Sequence, residues 1–286
     1  AWVLDANRLC LGQFFCIHIF RSEPINVEHQ FGAAAADRVR HDAWCLGFGF
    51  LAWSEVMKIF GRRKLRWTVL TSAPGGKAGE QWGDTWFARD LVDALRKLGQ
   101  DAHTTSRQNA HSLEREKDDV VVVLRGLTEV KPNRSKKNSI WILWVISHPE
   151  LVTQEEASRF DVVFAASNHW QPGFVDVRPL LQATNPSRFT PRAGIADSGD
   201  EVLFVGSTRG VFRPIVKDAI EAKLELSLYG VGWQEYVDVE KIKAEFLAND
   251  QLPAAYASAH VVLNDHHQFM AATGFLSNRL FDAAAT

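Results

Sequence analysis

The sequence predicts an α/β protein built of two Rossmann-like lobes, the second incomplete, preceded by a helical N-terminal segment. Three observations carry this. Unbroken Val/Ile/Leu runs alternate with amphipathic stretches, the pattern of parallel strands buried on both faces. The alternation starts twice, at residue 66 and again after the polar break "RAGIADSGDE" (192–201). In both halves a strand runs directly into a glycine-bearing turn. The expected division is 1–65 as a helical linker or accessory segment, 66–191 as the first lobe and 192–286 as the second.

In the N-terminal segment, "FGAAAADRVRHDAWCLGFGFLAWSEVMKIFGRRK" reads as a long helix that stops at Gly61 before three basic residues. The first lobe opens with "RWTVLTSAP" as a buried strand, "GGKAGEQWGD" as a loop and "TWFARDLVDALRKLG" as an amphipathic helix closed by Gly99. "DAHTTS", "DDVVVVLRG" and "SIWILWVISHPE" read as strands, "TQEEASRF" as a short helix capped by Thr153, and "DVVFAASNHW" as the next strand. In the second lobe "VLFVGS", "ELSLYGVG" and "HVVLND" read as strands. "RPIVKDAIEAKL" and "LPAAYASA" read as helices, and a last helix begins near Ser277. That helix has no closing Gly, Asn or basic turn, and the first residue is Ala1 rather than Met. Both ends are therefore expected to be cut from a longer chain, with a neighbouring domain upstream of residue 1.

Composition excludes several classes. Net charge is −2 with basic residues spread along the chain, which gives no footprint for nucleic acid. The one basic cluster, "KPNRSKKNS" (131–139), reads as a solvated loop. Cys10, Cys16 and Cys45 match no zinc spacing and make no even disulfide set, so a reducing, cytoplasmic setting is expected. The apolar runs at 9–20 and 44–53 are shorter than the roughly 20 residues a membrane span needs.

Chemistry is expected just past the strands, at their carboxyl ends. "FVGSTRGVFR" puts Gly206 and Ser207 at such an end with Arg209 and Arg213 behind them, either a phosphate cradle or a tight turn with solvated arginines. "SLYGVGW" repeats the arrangement with Gly230, Gly232 and Trp233. In the first lobe Gly75 and Gly76 follow a strand, near Trp82 and Gly83, and Asp84 reads first as a helix N-cap. His148 stands at another strand end, as an acid, a base, a hydrogen-bond donor or a structural group. The trio His260, His266 and His267 has only Asp265 at ligand spacing, and no Asp-x-Asp occurs, so no metal is expected. A full G-x-G-x-x-G and a Walker lysine are both missing, so no dinucleotide or P-loop cofactor is expected.

Eight blocks, "WGDTWFARDLVDALRKLG", "DDVVVVLRGL", "WILWVISHPE", "FDVVFAAS", "RPLLQATNPSRFTP", "VLFVGSTRGVFRPIV", "YGVGW" and "LNDHHQFMAATGFLSNRLFDAAA", resemble the spore-maturation-type group-1 glycosyltransferases. These are GT-B enzymes of two Rossmann-like lobes, and the resemblance runs from about residue 66 to the end. It implies transfer of a sugar from a nucleotide-diphosphate sugar to an unknown acceptor, metal-independent and with retention. By that resemblance Asp282 stands at the acidic position that contacts the ribose, and the helix from Ser277 faces the diphosphate. Asn264 opens the block. The usual second acid, eight residues upstream, is Gly274 here, with Asn278 and Arg279 as substitutes. Arg209, Arg213 and His148 are the catalytic candidates; Gly75, Gly76, Trp82, Gly83 and Asp84 would face the acceptor. Rival readings are a sugar-nucleotide epimerase of the same fold and a non-catalytic binding module.

Overall fold

The computed structural model describes residues 10–11, 15–16, 64–133, 139–191 and 202–286. The expected helix within 1–65 lies outside the described residues. In that segment Cys10–Leu11 (β1) pairs antiparallel with Phe15–Cys16 (β2). Leu65–Thr286 form a separate compact unit that holds two parallel sheets.

The first sheet contains Arg66–Thr71 (β3), Asp101–Ser106 (β4), Val120–Arg125 (β5), Ile140–Val145 (β6), Val162–Ala165 (β7) and Arg178–Pro179 (β8), in the order β4-β3-β5-β6-β7-β8. All neighbours run parallel. The run "VVVVL" explains itself by the two-residue repeat of a strand. Val120, Val122 and Leu124 face one layer with Phe87, Ala88 and Val92; Val121 and Val123 face the other with Trp141 and Leu143. A run apolar at every position can only sit between two covered faces. The first layer is closed by helix Gly83–Lys97 (α2), which follows a short helix at Lys77–Glu80 (α1) inside the stretch read as loop. Thr153 caps Gln154–Ala157 (α3) as expected, its hydroxyl accepting the Glu156 N–H at 3.1 Å.

The second sheet contains Val202–Val205 (β9), Leu226–Tyr229 (β10), Ile242–Ala244 (β11) and Val261–Val262 (β12), in the order β11-β10-β9-β12, again parallel. Pro214–Glu221 (α4) covers one face with Phe204, Leu228 and Trp233. Leu252–Ser258 (α5) lies on the other, where Tyr256 packs with Leu203 and Phe189. Two short helices end the chain, Gln268–Ala272 (α6) and Asn278–Ala284 (α7).

The stretch between β12 and α7 does not stay with the second sheet. Met270 and Phe275 are buried in the first lobe's core, with the Phe275 ring 5.9 Å from that of Trp170. The Leu276 N–H reaches the Ala166 carbonyl at 3.3 Å, and Ser167 pairs with Phe275. The two sheets are therefore tied through this returning strap. Among the described residues no helix is long and apolar enough to cross a membrane.

Candidate functional site

In both sheets the strand order reverses beside the first strand, between β3 and β5 in one and between β9 and β12 in the other. Such switch points open a crevice at the carboxyl ends of the strands, because the flanking connections leave in opposite directions. The second sheet's crevice gathers most of the residues singled out above.

Gly206 ends β9. A Cβ there would stand 3.2 Å from both the Arg213 and Arg279 guanidiniums, so a side chain would displace them. Gly230 ends β10, and a Cβ on it would come within 2.3 Å of the Gly206 carbonyl; only two bare backbones can approach this closely. Arg213 and Arg279 both lie over the Phe204 ring, at 4.7 and 5.3 Å. Asn264, just past β12, accepts from the Ser277 hydroxyl at 2.8 Å and from Arg279 at 3.3 Å. Arg279 also donates to the Val205 carbonyl. The Ser277 N–H, at the start of α7, donates to His266 Nε2 at 3.0 Å, which assigns the ring proton of a neutral His266 to Nδ1.

The two arginines of the turn have different situations. Arg213 is 3% exposed and grips Asp265 with Nε at 2.8 Å, while its NH1 holds the Ser207 carbonyl at 2.9 Å. Burial and the neighbouring Arg209 and Arg279 press its pKa down, and the fork onto Asp265 holds the charge in place. Arg209 is exposed, sits at φ 59°, and has no carboxylate or hydrogen-bond partner among the described residues. Of these two, Arg209 and not Arg213 presents an unpaired guanidinium among the described residues. The Gly206 and Thr208 backbone N–H groups are already engaged. The Gly206 N–H donates to the Tyr229 carbonyl at 2.7 Å and the Thr208 N–H to Val231 at 3.1 Å, because the turn is knitted to the end of β10.

Histidines complete the crevice. His148, left-handed at φ 52° beyond β6, brings its ring within 4.6 Å of His267. Burial first, then the charge of Arg209, lowers both; His267 is held at about 4 and stays neutral at physiological pH. Burial and the three arginines lower His266 as well. The positive potential here belongs to guanidiniums alone. His260, Asp265, His266 and His267 were weighed from sequence only as metal ligands. The signal for Asp265, His266 and His267 is the polar run that follows β12, whereas His260 precedes that strand; among the described residues no group of three or more His, Cys, Asp or Glu is placed to hold a metal.

Other expected members stand one step back. Trp233 is fully buried and reaches the site only by donating to the Gly206 carbonyl at 2.9 Å; Gly232 begins its turn. Asp282 is not an open carboxylate at the cleft. It is 8% exposed, accepting from the Thr184 hydroxyl at 2.6 Å and the Asn278 amide at 2.8 Å, and burial raises its pKa to about 7. The Asn278 side-chain carbonyl oxygen and Arg279 Nε are buried without partners among the described residues. Gly274, where the resemblance expects an acid, has φ 71°, and a Cβ would press to 2.8 Å from His169. The strap's contact with the first lobe leaves no room for a side chain there.

In the first lobe Asp84 is not the N-cap. Trp82 holds that position, Gly83 begins α2, and Asp84 is the second residue of the helix. Asp84 faces Gly126 at the β3/β5 switch point, where burial pushes its carboxyl up to about 6 against a bond from its own N–H. The Arg107 guanidinium lies 6.0 Å over the Trp82 ring. Gly75 donates to the Gln108 side chain at 3.0 Å, and both Gly75 and Gly76 line a cavity outside β3 and β4.

The fold and site define an α/β protein of two parallel sheets whose second sheet ends in a cationic crevice. Residues 209–286 match the model of a family described as glycosyl transferase-like, a span that carries Arg209, Arg213, Arg279 and Asp282. No curated protein matches the chain. Among solved structures it is similar to an alpha-glucosyltransferase in complex with UDP and a mismatched DNA, at 12% identity over 70% of this chain and 73% of that one, with a TM-score of 0.49. It is also similar to AviGT4, a glycosyltransferase involved in avilamycin A biosynthesis, at 18% identity over 69% of each chain, with a TM-score of 0.49.

Proposed function

We propose that the chain transfers a sugar from a nucleotide-diphosphate sugar to an acceptor held by the first lobe, without a metal and with retention. The observation that supports this is the cluster of Arg209, Arg213 and Arg279 at the β9/β12 switch point, where among the described residues Asp265 is the carboxylate that pairs with one of them, Arg213. An excess of guanidinium charge gathered at one strand-end crevice attracts a polyanion and stabilises one that forms there.

When the glycosidic bond breaks, charge grows on the departing diphosphate. Arg209, unpaired, supplies the direct contact; Arg279 follows from the start of α7. Arg213 acts as a positioning residue, fixing the Ser207 carbonyl and hence the turn that carries Arg209. His148, neutral beside His267, offers a hydrogen bond from the first lobe. A ribose contact by Asp282 would require it to exchange its bond from Thr184 or Asn278. Retention and the spore-maturation subtype rest on the motif resemblance. The test is incubation of the chain with UDP-, GDP- and ADP-sugars while free nucleoside diphosphate is measured. Release dependent on Arg209 supports transfer. Interconversion of the sugars without release points to epimerisation, and no turnover with any donor opposes the reading.

A further inference from the structure

Arg125 closes β5 with its guanidinium buried: it is 2% exposed, and Glu156, which meets it from α3, is 1% exposed. The guanidinium forks onto that carboxylate, with Nε to Oε1 at 2.7 Å and NH2 to Oε2 at 3.2 Å. It does more than pair. NH2 also donates to the Leu151 carbonyl at 3.2 Å, and NH1 donates to the Gly126 carbonyl. The backbone of the same residue holds the chain where it leaves β6. The Arg125 carbonyl accepts the Ile146 N–H at 3.0 Å and the Ser147 N–H at 3.4 Å. One buried residue thus grips both flanks of His148.

Between these anchors His148 lies in the left-handed region, at φ 52°, and the 3-10 turn Pro149–Leu151 follows it. A residue with a Cβ stays there only where its surroundings outweigh its local preference. The turn's own bond, from the Leu151 N–H to the His148 carbonyl at 3.1 Å, is local and does not fix the turn to the sheet. The Arg125 fork does. The Ser147 hydroxyl, on a residue held by the Arg125 carbonyl, stands 3.0 Å from His148 Nδ1 and orients the ring. So held, the turn packs beside α6, and the imidazole stands 4.6 Å from that of His267. We infer that Arg125 is a positioning residue for the proposed transfer, acting through His148: its fork sets the Pro149–Leu151 turn so that the imidazole meets His267 at the crevice. The part in transfer rests on the function proposed above; the hold on the imidazole does not.

The test separates position from stability. Removing Arg125 alone would strand Glu156 in the core, so the informative variant combines Arg125→Met with Glu156→Leu, an apolar pair that leaves no buried charge. In the histidine-labelled chain the nuclear Overhauser contact between the His148 and His267 rings reports the geometry directly. It should be present in wild type and lost in the double variant, whose melting temperature should stay near that of wild type. Arg125→Lys keeps a charge opposite Glu156 but gives up the fork, and should also lose most of the contact; if the double variant does not fold, this one decides the point. Glu156→Gln leaves the bond to Leu151 in place, so it should melt earlier yet keep the contact. With a nucleotide-diphosphate sugar that wild type turns over, loss of the contact should lower kcat about 10–100-fold with KM little changed, the cost of a misplaced group. A contact that follows melting temperature rather than the Arg125 fork would overturn the inference, as would its absence from wild type, or full kcat without it. If wild type turns over no donor, the transfer reading falls, while the ring contact across the variants still decides what Arg125 holds.

Discussion

Replacing Asp282 by Asn removes a carboxyl that the fold holds in its neutral form, and the consequence can be worked out with its sign. Burial raises the pKa from 3.8 to about 7, with Asp90 adding to the rise and the bonds from Thr184 and Asn278 opposing it. Well below pH 3.8 the group is protonated in both folded and unfolded chains, and its contribution to stability is fully present. As pH rises, the unfolded chain ionises first while the folded one resists, so stability is lost progressively up to about pH 7 and is flat above. A rise of this size corresponds to roughly 4 kcal/mol between the two limits, an upper figure. Asn cannot ionise and keeps an oxygen for the Thr184 hydroxyl. The Asn278 amide, whose carbonyl oxygen has no partner, can turn to accept from the new amide. Asp282→Asn should therefore stabilise by only about 1 kcal/mol at pH 4.5, where the unfolded chain has begun to ionise, and by roughly 2–4 kcal/mol at pH 8.5. Urea unfolding of both chains at the two pH values measures the difference, with all other titrations cancelling between them. A variant less stable than wild type by the same amount at both values would refute the reasoning. It would mean that the fold stabilises the charged carboxylate.

Gly274→Ala should destabilise by about 1–2 kcal/mol, since it sets a side chain at positive φ and against His169; an unchanged urea midpoint would mean that the strap can move aside. Removing Arg213 leaves Asp265 unpaired in a mostly buried site, so Arg213→Ala should lower stability by roughly 3 kcal/mol, and Arg213→Lys by less; equal melting temperatures would show the pair to be idle. Binding of a diphosphate should raise the His267 pKa from about 4, because an added anion favours the imidazolium. Calorimetry of UDP binding at pH 5 in buffers of different ionisation enthalpy should then show proton uptake that His267→Asn reduces; equal uptake in both chains would place the phosphates elsewhere.

Most of the fold was legible because burial on both faces leaves an unmistakable trace. "DDVVVVLRG" and "SIWILWVISHPE" admit only central strands, and Thr153 announced its helix by its own side chain. Missed elements lack such a trace. Arg178–Pro179 is a two-residue edge, Ile242–Ala244 is short and half exposed, and Gln268–Ala272 is one turn of helix. That helix also packs on the first lobe, a long-range contact no local pattern encodes. At the site, strand ends pointed to Gly206, Arg209, Arg213 and His148. Pairing decides what a side chain can do, and pairing was not legible. Arg213 and Asp265 stand 52 residues apart, and Thr184 and Asp282 stand 98 apart. Nothing in spacing marks Arg209 as the arginine left with neither a carboxylate nor a hydrogen-bond partner among the described residues.

The central claim is that this unpaired guanidinium, poised at the β9/β12 switch point, receives a diphosphate. Isothermal titration of UDP, GDP and ADP into wild type and Arg209→Ala, with melting temperature recorded for both, tests it most directly. Losing one charge-assisted contact should weaken the best-bound nucleotide about 10–100-fold. Stability should stay unchanged, because Arg209 has no partner among the described residues to strand. Equal nucleotide affinity in the two chains, at equal stability, would contradict the account.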